Sequence, residues 1–198
     1  LAMRWSIVEK ALKEYRLSEV RALDTNENEM IIEGYAAVFD EITDMGWYRE
    51  KVDRHAFDNA DMKDCVLKYN HEDSFLILAR TRNGSLELKI DDHGLKFRAK
   101  LIDTTTNKDV YKMIKEGLLD KMSFGFSVQE QAWDYDTDTR TILRISKLFD
   151  VSVVDFPAYD GTDIKTRKKD DYLLEKSKYL EFKTKRKKLE LKLKLLDL

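Results

Sequence analysis

The stretch SLELKIDDHGLKFRAKL, residues 85–101, decides the fold class. Leu86, Leu88 and Ile90 alternate with Glu87 and Lys89; a DDHG turn follows; then Leu95, Phe97, Ala99 and Leu101 alternate with Lys96, Arg98 and Lys100. A period of two on both sides of a turn marks an antiparallel hairpin with one buried and one wet face. The neighbouring segments repeat the signal. LSEVRAL (17–23) and EMIIEGYAAVF (29–39) read as strands around the turn-forming DTNEN, and CVLKYN (65–70) as an apolar strand. Downstream, LLDKMSFGFSV (118–128), RTILRIS (140–146) and LFDVSVVDF (148–156) continue the pattern, with the polar loop DYDTDT between the first two.

Helical spacing is confined to fewer places. Trp5, Val8, Leu12 and Tyr15 predict an amphipathic helix over 4–15, and DRHAFDNADM (53–62) a short one. TTTNKDVYKMIKEG (104–117) offers a Thr or Asn N-cap, Asp109 near its first turn and Gly117 as a stop, with Val110, Met113, Ile114 and Leu118 as its buried stripe. Pro157, the only proline, lacks an N–H and fits the end of the last strand. Beyond it the composition turns to lysine, leucine and glutamate, a basic helix-prone tail whose run 189–195 also alternates as a strand would. The expected fold class is mainly β (α+β), antiparallel, with few helices. Its expected parts are a helical extension over 1–16, a β body over 17–163 and the basic helical tail over 164–198.

Composition limits the function. With 36 Lys and Arg against 38 Asp and Glu, a formal charge of −2 supplies no basic field for nucleic acid. One cysteine, Cys65, rules out an intrachain disulfide and a cysteine-built zinc site, and favours a reducing compartment. No apolar run approaches membrane-spanning length and no secretory signal opens the sequence, so we expect a soluble intracellular protein without a membrane partner. No glycine-rich phosphate loop is present, and no cofactor or metal is expected.

The strand at 118–128 carries the candidate chemistry. Met122, Phe124, Phe126 and Val128 form one face; Ser123, Gly125, Ser127 and Gln129 form the other. For an arbitrary strand the second face is solvated, but a glycine inside a strand marks close approach by another backbone or a ligand. A serine hydroxyl becomes a nucleophile only beside a base. His93 lies in the hairpin turn and His55 in a surface segment, whereas His71 ends an apolar strand, where the sheet fixes a side chain and substrate still reaches it. Asp150 sits in an otherwise apolar strand, where an unpaired carboxylate is costly and a histidine or arginine partner would account for it. Asp155 competes from the opposite face. A three-histidine zinc site is disfavoured, because spacings of 16 and 22 residues put no ligand pair on one helix turn.

EGYAAVF (33–39), HAF (55–57), NHE (70–72), LELKIDDHGLKFRAKL (86–101), VYKMIKEGLLDKMSFGF (110–126) and LFDVSVVDFPAY (148–159) together resemble the prohead maturation proteases of tailed bacteriophages. The resemblance runs in order from about Leu17 to Asp163. It implies a serine endopeptidase made in the bacterial host cytoplasm and held inside the phage prohead. Such an enzyme cuts the scaffolding protein or the scaffolding segment of the major capsid protein, and also itself. It implies a fold like the herpesvirus assemblins, a closed or nearly closed β-barrel with helices around it. Residue by residue it assigns Ser123 as nucleophile, His71 as base and Asp150 as the third member, where glutamate is commoner in the family. The segment SFLILAR after the histidine lacks the expected proline and glycine. The alternatives from other classes are a non-catalytic capsid- or scaffold-binding module and a metal-dependent hydrolase.

Overall fold

A computed structural model of the chain describes residues 4–5, 13–23, 29–73, 77–155 and 162–196. In chain order its elements are β1 (Arg4–Trp5), β2 (Lys13–Leu23), β3 (Met30–Val38), β4 (Thr43–Asp44), β5 (Arg49–Val52), β6 (Val66–Tyr69), β7 (Ala79–Arg80), β8 (Leu86–Ile90), β9 (Gly94–Leu101), α1 (Thr105–Lys115), β10 (Lys121–Asp134), β11 (Thr139–Val154) and α2 (Thr162–Leu196). The fold is mainly β, as the alternating segments predict. The chain divides into two compact units, Leu1–Ala158 and Tyr159–Leu198, and the described strands lie in the first.

The described strands form one mixed sheet in the order β4-β5-β11-β10-β2-β3-β9-β8, with β1 on β10 and the β6–β7 pair on β11. Two departures from expectation follow. The sheet is not wholly antiparallel, because β5 and β6 both run parallel to β11. Nor is it a closed barrel: closure needs the two end strands to pair, and no described pairing joins β4 to β8. The ends are poor templates for closure. One is a strand of two residues, and the other exposes Glu87 and Lys89 along its edge.

The 85–101 hairpin forms as predicted, with Leu86, Leu95, Phe97, Ala99 and Leu101 buried, but Leu88 is only half-buried and Ile90, next to the turn, is exposed. Asp91 shapes its turn by accepting the N–H groups of His93 and Gly94 at 2.9 and 3.0 Å. Burial pushes the Asp91 carboxyl up, but those two N–H groups and the Tyr35 hydroxyl outweigh it and leave it below the ordinary carboxylate value.

The segment 4–15 departs from its helical spacing. Residues 4–5 and 13–15 are strand, paired with β10, and 6–12 lie outside the described residues. Pairing with β10 satisfies backbone groups of these residues, and that ladder overrides a weak amphipathic period. β2 then bends from β10 to β3. Its residues 13–19 pair with β10 and 20–23 with β3, and Gly34 permits the corner, since a Cβ there would lie 2.2 Å from the Glu19 carbonyl oxygen.

The segment 53–62 forms successive turns instead of a short helix, with Ala56 N–H donating to Asp53 O at 2.9 Å and Ala60 N–H to Phe57 O at 3.1 Å. Those turns insert Phe57 into the core, 6.0 Å from Phe124 and 6.2 Å from Phe39 between ring centroids. α1 begins at the Thr104 cap, whose hydroxyl accepts Asn107 N–H at 3.1 Å. It ends at Gly117, φ 73°, with Gly117 N–H on Ile114 O and Leu118 N–H on Met113 O. That left-handed turn rotates the chain, so Leu118 is exposed at 73 % and Leu119 is buried in its place. α2 runs as helix through 189–195, so the alternation there makes no strand; Leu189, Leu191 and Leu193 are exposed. Pro157 lies outside the described residues.

Candidate active site

β10 is an interior strand, flanked by β2 and β11. Met122, Phe124 and Phe126 are buried on one side, but Ser123, Gly125 and Ser127 are buried on the other. The expectation of a solvated face for an arbitrary strand does not apply. Directly opposed residues of an antiparallel pair share a face. Ser123 opposes Ser152 and Gly125 opposes Asp150, so all four lie on one side of the sheet. The ladder slips immediately afterwards, Phe126 pairing with Leu148, which leaves Phe149 as a bulge beside Asp150. On its other edge β11 meets β6 in parallel, Asp150 opposite Val66 and Ser152 opposite Lys68.

β6 delivers the histidine. After Tyr69 the chain takes two consecutive left-handed residues, Asn70 at φ 50° and His71 at φ 58°. Non-glycine residues there cost about 1 kcal/mol or more each and persist only where surroundings hold them. Asn70 N–H donates to Val153 O at 2.9 Å, and the Asn70 side-chain oxygen accepts Asp155 N–H at 3.1 Å, which clamps the bend against the end of β11. Next to this clamp His71 Nδ1 meets Asp150 Oδ1 at 2.5 Å. Asp150 is fully buried and the His71 side chain is 11 % exposed. The partner that a carboxylate in an apolar strand requires is therefore His71.

Ser123 stands on the same face, one strand over from Asp150, with no exposed surface. Its Oγ makes no hydrogen bond to any described residue, His71 included. The structure joins His71 to Asp150 and leaves Ser123 on the same sheet face as Asp150, unjoined. Ser127 is occupied elsewhere, its Oγ 2.6 Å from Ser146 Oγ, in keeping with a structural role.

The competitors have other partners. Asp155 is exposed and accepts the Tyr69 hydroxyl at 3.3 Å. Burial, then the charge of Asp155, pushes that hydroxyl above its ordinary value. His55 is exposed against Asp58 at 3.0 Å, and His93 packs edge-on against Tyr35 at 4.5 Å.

Two residues that sequence reasoning missed bear on the site. Asn70 enters the sequence reading only inside NHE, although asparagine is one of the few residues that tolerates a left-handed bend. Ser152 was readable from period two alone, since it shares a face with Asp150, and its hydroxyl donates to Asp150 Oδ1 at 2.8 Å.

A fully buried carboxylate on an imidazole, with a serine on the neighbouring strand, is the equipment of hydrolases that activate an alcohol. The family model for the caudovirus prohead serine protease matches residues 16–176, and the chain belongs to that family. No curated relative and no solved structure matches the chain. Membership makes it a serine endopeptidase of phage capsid maturation. Its setting is the interior of a particle made in the host, among capsid or scaffold proteins.

Proposed function

We propose that the chain cuts the scaffolding protein, or the scaffolding segment of the major capsid protein, by an acyl-enzyme mechanism carried by Ser123, His71 and Asp150. His71 Nε2 takes the Ser123 proton as Oγ attacks the scissile carbonyl. The imidazolium then protonates the leaving amine, and a water deprotonated by the same imidazole releases the acyl group. Asp150 holds Nδ1–H, so that Nε2 keeps its lone pair for the proton. General-base help supplies roughly 10²–10⁴ of the rate, and donors to the oxyanion supply much of the remainder.

The observation that carries this reading is the buried Asp150–His71 hydrogen bond on the face of the sheet that also bears Ser123. The unbonded Ser123 hydroxyl fits a resting state, because catalytic hydrogen bonds tighten when substrate docks. Burial of Ser123 means that a peptide has to displace whatever covers this face.

The test is co-expression of Ser123→Ala with the capsid precursor. The variant is expected to leave the precursor uncut while remaining folded; processing at the wild-type rate removes the assignment. The same experiment reports self-cleavage, which the mechanism allows for any exposed strand of a second copy.

A further inference from the structure

The carboxylate of Asp150 has a second partner that the mechanism above does not use. Ser152 lies two residues along β11 on the same face and is fully buried. Its hydroxyl donates to Asp150 Oδ1 at 2.8 Å, the same oxygen that meets His71 Nδ1 at 2.5 Å. In the ladder Ser152 opposes Ser123 on one side and Lys68 on the other. It occupies the middle of the row between the nucleophile's strand and the strand that leads to the histidine.

A hydroxyl has one proton to give, and here it goes to Asp150 and not across the ladder to Ser123. The terminal torsion of an aspartate is broad and nearly two-fold, so a single bond to the imidazole fixes a contact but not the carboxylate plane. A second donor on the same oxygen narrows that rotation. A buried serine donating to a neighbour is often only a satisfied polar group, contributing stability and nothing else. Convergence on the one oxygen that orients His71 distinguishes this serine from that ordinary case.

We propose that Ser152 is a positioning residue for proteolysis, pinning the Asp150 carboxylate so that Oδ1 stays on His71 Nδ1. The proposal rests on the Ser123–His71–Asp150 reading, and its test separates the two. Ser152→Ala and the nearly isosteric Ser152→Cys, a weak donor, are compared in the full chain, in wild-type and Asp150→Ala backgrounds. The readouts are kcat and KM on a capsid-precursor peptide and the thermal midpoint.

Loss of a hydrogen bond to a charged group predicts a fall in kcat of about 10- to 100-fold for Ser152→Ala, with KM nearly unchanged. Ser152→Cys is expected to fall between, and to carry the comparison if the alanine variant does not fold. In the Asp150→Ala background neither substitution lowers kcat further, because the group they act through is gone. Wild-type kcat in Ser152→Ala, with Asp150→Ala inactive, overturns the proposal and spares the triad. An equal loss in both backgrounds also overturns it, since Ser152 then acts independently of Asp150. Wild-type kcat in Asp150→Ala removes the triad reading and this proposal together.

Discussion

At Asp150, burial and charge oppose one another. A fully buried carboxylate loses its hydration, at a cost of several kcal/mol, unless partners replace it. His71 and Ser152 both do so on one oxygen. The need for a partner was legible in the sequence, because KLFDVSVV sets one acid among apolar residues. The arrangement around it was less legible. Ser152 required pairing the period-two face of one strand with a residue already singled out on it. Asn70 required knowing that the chain bends left-handed there, which no periodicity encodes. The residue scale also supplies a clean test of role. Asp150→Asn keeps size and most hydrogen bonding, but its amide N–H₂ can donate to Nδ1 and move the ring proton to Nε2, where the base needs a lone pair. We expect a near-wild-type thermal midpoint with kcat lowered by roughly 10³–10⁴. A variant that melts early and loses activity in proportion would assign Asp150 to stability alone.

At the scale of elements, success and failure divide by where each element finds its partners. The 85–101 hairpin carries its pairing within itself, so alternation and turn chemistry sufficed to read it. The stretch at 13–15 pairs with residues 125–127, far along the chain, and local helical spacing was misleading there. β10 is a strand as expected, although it begins at Lys121 and not at Leu118, and the face that an arbitrary strand leaves wet is buried, because what packs over a face is a property of the fold and not of period two. The corner of β2 offers the element-level prediction. Gly34→Ala would set a methyl 2.2 Å from the Glu19 carbonyl oxygen and 3.1 Å from a Phe97 ring carbon. Backbone would have to move, and destabilisation of about 1–3 kcal/mol is expected from chemical denaturation, on the scale of overpacking. An unchanged midpoint would mean that the β2–β3 approach is looser than described.

For the whole molecule, the open sheet is the lesson that alternation could not teach. Inward and outward faces follow from period two, whereas closure depends on whether two distant edges meet. Here a two-residue strand and a charged edge end the sheet. The tail is a separate matter of charge. Residues 162–198 hold thirteen Lys and Arg against seven Asp and Glu, although the full chain is slightly acidic. We propose that the segment from about Lys165 onward docks the enzyme on scaffold or capsid subunits during assembly, and that self-cleavage near its junction with the body releases it. Deletion of 166–198 is expected to reduce incorporation into heads while leaving peptide cleavage intact. Equal incorporation, counted by quantitative mass spectrometry of purified proheads, would remove the docking role.

Activation of Ser123 by His71 is open to a mechanism-based serine label. Full-length wild type and His71→Ala are incubated with a peptide phosphonate in proheads undergoing maturation, and the adduct is mapped by tandem mass spectrometry. The wild-type chain is expected to carry a single adduct, on Ser123, and His71→Ala to label at least a hundredfold more slowly, roughly the least that general-base help supplies. An adduct on Ser127 or Ser152, or labelling of Ser123 at the same rate in both proteins, would contradict it.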